Sequence, residues 1–220
     1  GETASAVKNL RVLGVFTHLS SADGDDATDR RITEAQIKNF MEAELVVKNE
    51  KDVPFYAENS AALIKYGRFF DGARIGIALY GVNPVPGDQT LLLPVMTFRA
   101  AVIAINTVKK GDFIGYSRGY RAKKDMRVAI ISTGYADGLP RALSNKGTIF
   151  CNGQFLKIVG KVSMDSVAVD AGDADVKIMD EVVVFGDEIT VTDVANRADT
   201  LPYEILTGVS ERVKRVYKNP

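Results

Sequence analysis

A chain of 220 residues, 46% hydrophobic and 25% charged, has the make-up of a soluble globular protein and enough length to bury a real core. Lys+Arg and Asp+Glu balance at 28 each, so net charge gives no argument for nucleic acid or an anionic membrane as partner. No apolar run approaches the ~20 residues of a membrane helix. The lone Cys151 excludes an internal disulfide and a cysteine-based zinc site, and fits a reducing, cytoplasmic setting.

In chain order, "LRVLGVFTHL" (Leu10–Leu19) is a short apolar, β-branched run that predicts a buried strand ending near His18. The acidic loop "SSADGDDATD" follows. From Ile32 to Lys48 the spacing predicts a helix with Ile37, Phe40, Met41 and Leu45 on one face. "VPFYAENSAALIKYG" predicts a strand over Val53–Ala57, then a helix that starts at Asn59 or Ser60 and stops at Gly67. "ARIGIALYG" reads as a third strand. Strand–helix alternation of this kind argues for parallel β/α units.

"VNPVPGDQT", with two prolines and a glycine, reads as a linker. Beyond it the grammar changes to short strands: Val95–Asn106, Arg127–Thr133, Thr148–Cys151, Gln154–Val159, Val167–Asp170 and Glu181–Phe185. Asn152-Gly153 between two of these predicts a type I′ hairpin. Two short helices close the chain, the second starting near Pro202 and burying Ile205, Leu206, Val209 and Val213. Three β/α units cannot close a barrel, which needs about eight strands. The first half therefore reads as the end of something longer.

Taken singly, the chemistry-bearing residues stay ambiguous. His18 stands at a strand's C-terminal end, where β/α barrels carry their active sites, or is a half-buried structural histidine. Ser60 opens a helix whose free N–H groups suit a phosphate, or merely belongs to its cap. Gly76 lets a backbone approach a ligand, with Arg74 two residues earlier on the same strand face, or is only a bend. Met164 and Tyr203 have ordinary packing explanations, and Arg212 and Arg215 read as a solvated face.

Together and in order, "GVFTHLSSAD", "AENSAA", "ARIGIALYG", "GYADGLPR", "VGKVSMDSV" and "LPYEILTGVSERVKRVY" resemble the alanine racemase family. The resemblance runs from His18 to Tyr217. It implies an α/β plus all-β architecture: the C-terminal piece of a β/α (TIM-type) barrel over residues 1–87, followed by a mostly β C-terminal domain over 88–220. It implies a pyridoxal 5′-phosphate-dependent isomerase that interconverts L- and D-alanine by two-base proton transfer and so makes D-alanine, a peptidoglycan precursor. It further implies a head-to-tail homodimer in the cytoplasm, with a small amino acid as substrate and neither nucleic acid nor membrane as partner.

By the same resemblance Tyr135 is a catalytic base, His18 hydrogen-bonds that tyrosine, and Arg74 backs His18 and bonds the cofactor's pyridine nitrogen. Ser60, Gly76, Ile77 and Tyr203 match the phosphate cradle, while Met164 and Asp165 match the loop beside the substrate carboxylate. Tyr56 stands where many members have histidine, and Ser163 where many have cysteine. The family's Schiff-base lysine lies in a V-x-K-A-N-A-Y-G-like motif, and no lysine here has that context: Lys8 precedes Asn-Leu and Lys65 precedes Tyr-Gly. The expectation is a chain lacking the N-terminal part, inactive by itself. A serine or broad-specificity racemase and an inert fragment are the rival readings, and the bulk of Tyr203 favours alanine's small methyl group.

Overall fold

The computed structural model describes residues 9–49 and 52–218, and the chain divides into two compact units, residues 1–95 and 96–220. In the first unit, β1 (Val15–Phe16) and β2 (Phe55–Tyr56) pair in parallel, Val15 opposite Phe55. Parallel neighbours need a crossover, supplied here by α1 (Ala27–Lys48). After α2 (Ser60–Tyr66), a third parallel segment joins by a single bridge, Tyr56 to Gly72. Its partners continue as Asp71 N–H to the Phe55 carbonyl and Arg74 N–H to the Glu58 carbonyl.

α1 begins five residues ahead of the expected Ile32, because Asp26 inside the acidic loop caps it by accepting the Asp29 N–H. Its packing face is also narrower than the periodicity implies. Ile37 is buried and Phe40 packs on Phe55 and Phe70, centroids 5.2 and 4.9 Å away, but Met41 and Leu45 are exposed. Glu58 is fully buried and accepts the N–H groups of Phe69 and Phe70 through Oε1, tying down the turn after α2. The expected third strand differs most. Beyond Arg74 the chain coils into a 3-10 helix, Ile77–Tyr80, because Ser60 Oγ captures the N–H groups of Gly76 and Ala78.

The second unit is built on a closed antiparallel barrel. Its strands are β3 (Phe98–Val108), β6 (Met126–Ile131), β7 (Thr148–Cys151), β8 (Gln154–Ile158), β9 (Val167–Asp170) and β10 (Glu181–Phe185), in the order β10-β3-β6-β9-β8-β7. Closure removes the exposed edges that an open sheet of this size would carry. Inward residues such as Val102, Ala129, Ile131, Ile149, Leu156, Val169 and Val182 are fully buried. Asn152 and Gly153 both take positive φ, +46° and +80°, as a type I′ turn requires. A separate hairpin, β4 (Phe113–Ile114) with β5 (Tyr120–Arg121), was not legible from strand patterning.

Two helices follow the barrel: α3 (Val191–Ala198), closed by a Thr190–Asp193 capping box, and α4 (Pro202–Gly208). Ile205 and Val209 are buried, whereas Leu206 and Val213 are only half-buried, because α4 stops at Gly208 and the remainder runs as coil. No helix among the described residues is long and apolar enough to cross a membrane.

Candidate active site

In the first unit, the C-terminal ends of the parallel segments bring His18, Ser60, Arg74, Gly76 and Ile77 to one end. Arg74 reaches back across the sheet: its Nη2 donates to the Thr17 carbonyl at 2.5 Å and lies 3.4 Å from His18 Nδ1. Its guanidinium also stacks over the Phe16 ring, 4.8 Å from the centroid. The backbone around His18 is pinned from both helices. Gln36 of α1 donates to the His18 carbonyl while accepting the Ser20 N–H, and Asn59 at the α2 cap donates to the Leu19 carbonyl. None of these three contacts is visible in strand or helix periodicity.

Ser60 is 4% exposed, and its hydroxyl oxygen accepts from Gly76 N at 3.1 Å and Ala78 N at 3.3 Å. Its own O–H remains available to donate, since a hydroxyl carries one donor beside its lone pairs. A Cβ added to Gly76 would meet no atom within 4 Å, so the space beside this turn is open. With the Gly76 and Ala78 N–H groups given to Ser60 Oγ, the donor beside this open space that can turn to an anionic oxygen group is the Ser60 hydroxyl. Tyr56 lies flat between two glycines: a Cβ at Gly72 or Gly14 would meet its ring at 2.8 or 3.0 Å. Lys65, in α2, is committed elsewhere, donating to the Gly24 carbonyl and pairing with Asp25. Lys8 lies outside the described residues.

In the second unit, Tyr135 rides on a tight loop shortly after β6, with the residue 45% exposed. Asp137 folds that loop back, its Oδ2 accepting the Gly134 N–H at 2.9 Å. The loop is laid on the segment carrying Met164: Tyr135 N–H donates to the Ser163 carbonyl and Ala136 N–H to the Met164 carbonyl, both at 3.0 Å. Gly134 is required by this approach, because a Cβ there would sit 2.3 Å from the carbonyl oxygens of Ser163 and Met164. Met164 and Asp165 stand exposed beside it, and Tyr203 projects half-exposed from the first turn of α4.

One residue that sequence reasoning assigned to a solvated face belongs to this arrangement. Arg212, in the coil after α4, donates through Nη2 to Asp165 Oδ1 at 2.7 Å and places Nε 3.5 Å from Asp137 Oδ1. The hydrogen bond to Asp165 and the charge of Asp137 push its guanidinium above the ordinary value. An arginine in a basic "SERVKR" run carries no sequence signal that separates it from its neighbours; only the tertiary position of two aspartates does.

Residues 95–217 match the family model for the alanine racemase C-terminal domain, and residues 1–84 that for the alanine racemase N-terminal domain. The alanine racemase of Halothermothrix orenii is 36% identical over 225 residues, covering 98% of this chain and 59% of the relative. Among solved structures, alanine racemase from the D-cycloserine producer Streptomyces lavendulae superposes with a TM-score of 0.87 at 32% identity, covering 96% of this chain and 57% of that one. The Bartonella henselae alanine racemase, with covalently bound pyridoxal phosphate, gives 0.83 at 34% identity, covering 94% and 57%. The chain thus spans about three-fifths of the length of the curated relatives it matches.

Proposed function

This chain belongs to the alanine racemase family, and on that premise we propose that it supplies the C-terminal part of a pyridoxal-phosphate-dependent racemase interconverting L- and D-alanine. Residues 1–87 then form the last strands and helices of a β/α barrel, and 88–220 its β domain. The observation that carries the reading is the Arg74 guanidinium, which bridges the Thr17 carbonyl and the His18 ring beside the Ser60–Gly76 turn. A cation, a histidine and the Ser60 hydroxyl beside an open turn, all at one end of parallel segments, suit a phosphate-bearing cofactor.

Ser60, Gly76 and Ile77 would hold the phosphate, with Tyr203 as a further cofactor contact, and Arg74 would bond the pyridine nitrogen. Pyridoxal phosphate, when bound, supplies the electron sink that makes the α-proton of an amino acid removable. Arg74 fixes the ring of His18 by donating toward Nδ1, which keeps the imidazole proton at Nε2. In a head-to-tail homodimer, that Nε2–H meets the phenol oxygen of Tyr135 from a second copy and holds it in place. The Tyr135 oxygen takes or returns the α-proton on one face of alanine. On the other face the family's lysine does the same, in a motif that none of this chain's lysines shares. Met164 contributes its backbone N–H near the substrate carboxylate, with Asp165 beside it.

The reading is tested by joining the chain to the lysine-bearing segment of its relatives, loading pyridoxal phosphate and following D-alanine formation from L-alanine by chiral chromatography. A folded, cofactor-loaded protein that makes no D-alanine would sink it. Faster turnover of serine than of alanine would favour the broad-specificity alternative.

A further inference from the structure

We propose that Arg212 is a positioning residue of the racemase site, bridging Asp137 and Asp165 so that the Tyr135 loop is locked against the Met164 loop. The word racemase rests on the function proposed above; the locking does not. The two loops meet through two backbone hydrogen bonds, Tyr135 N–H to Ser163 O and Ala136 N–H to Met164 O. Arg212 adds a third tie between the same loops, from Nη2 to Asp165 and from Nε to Asp137. Asp137 passes the restraint on, since its other oxygen holds the Gly134 N–H immediately before Tyr135. The coil that presents Arg212 is itself fastened to this loop. Ser210 N–H donates to the Asp137 carbonyl, and Arg215 donates to the carbonyls of Val209 and Ser210.

Global stability does not explain the bridge, because ion pairs this exposed add little to it: the side chains of Arg212 and Asp165 are 53% and 60% exposed. What two simultaneous contacts on one planar fork do change is the freedom of the loops they join. A general base needs its oxygen held near the reacting atom, and small displacements there are costly to rate. Lysine, a point charge that pairs with one carboxylate at a time, would keep the sign without the bridge.

The test compares wild type with Arg212→Lys and Arg212→Gln. In the 220-residue chain, both variants should speed amide hydrogen exchange at Tyr135 and Ala136 by about tenfold, with barrel amides such as Ile131 and the melting temperature unchanged. In the cofactor-loaded protein completed with the lysine-bearing segment, kcat should fall roughly ten- to hundredfold with KM nearly constant, and Lys should recover only part. Unchanged exchange at Tyr135 and Ala136 in Arg212→Gln would overturn the locking. Faster exchange with wild-type kcat would overturn its part in the reaction, and full rescue by Lys would replace the bridge with a simple charge effect. A wild-type protein without racemase activity would sink the proposed function, while the exchange measurements would still decide the locking.

Discussion

The Arg74 guanidinium stands 3.4 Å from His18 Nδ1 while the same nitrogen donates to the Thr17 carbonyl. Arginine has donors and no acceptor, so a hydrogen bond along this contact makes Nδ1 the acceptor and puts the ring proton on Nε2. His18 is the chain's only histidine, so its tautomer can be read without assignment. A long-range proton–nitrogen NMR spectrum at pH 8 should show Nε2–H in wild type and a mixture of tautomers in Arg74→Ala. A dominant Nδ1–H form in wild type would remove Arg74 from this role.

Tyr135→Phe keeps the ring and deletes the oxygen. In the protein completed with the lysine-bearing segment, racemisation should fall 10²–10⁴-fold, the usual cost of losing a general base. Pyridoxal phosphate should still bind, since the cradle proposed for it rests chiefly on Ser60 and the Gly76 turn. Wild-type rates in both directions would end the assignment of Tyr135.

How much of this was legible in advance depended on whether the cause was local. The Asn59 cap, the Asn152-Gly153 turn and the run of short strands after the linker are local properties, and the structure carries each near where the residues place it. The 3-10 turn at Ile77–Tyr80 was misread as strand because its cause, the Ser60 hydroxyl, lies sixteen residues from Gly76. Arg212 reads as part of a solvated face for the same reason at greater range: Asp137 and Asp165 stand 75 and 47 positions before it. Exposure of Met41 and Leu45 likewise follows from which face of α1 meets Phe55 and Phe70, which periodicity along one helix does not state.

Gly138 has a φ of +111°, and a Cβ there would lie 2.6 Å from the Gly208 carbonyl oxygen. Both conditions exclude a side chain. Gly138→Ala should therefore destabilise the second unit by about 1–3 kcal/mol, as overpacking typically does. It should also loosen the contact between the Tyr135 loop and the end of α4, read as faster amide exchange at Ser210. An alanine variant with wild-type melting and exchange would show that the loop closes differently.

Cys151 is 1% exposed, and burial together with the nearby Asp180 charge pushes its thiol up from the ordinary value. Thiolate is the reactive form, so the folded chain should resist a disulfide reagent at pH 8 and react fully once urea unfolds it. Rapid stoichiometric labelling of the native chain would contradict the closed barrel around β7.

Asp71 links β2, α1 and the segment that leads to Arg74. Its Oδ2 accepts the Phe55 N–H at 2.8 Å and the Lys48 ammonium at 3.0 Å, and these contacts, the backbone N–H foremost, hold its carboxyl below the usual carboxylate value. Lys48 is shifted the opposite way, upward, by its hydrogen bonds to Glu44 and Asp71. A depressed carboxyl lends stability that is complete above its unfolded pKa of about 3.9 and is lost as pH falls through the lower folded value. A raised lysine lends stability that is complete below its unfolded pKa of about 10.4 and is lost as pH climbs through the higher folded one. The pair therefore supports the first unit across neutral pH and fails first on the acid side. Asp71→Asn should lower the urea midpoint of the first unit at pH 7, with the gap to wild type closing as pH drops below about 4. Protection of the Phe55 amide, followed by exchange, should fall with it. Parallel wild-type and Asn curves across that range would show that the Asp71 charge takes no part in holding β2 to the segment that carries Arg74.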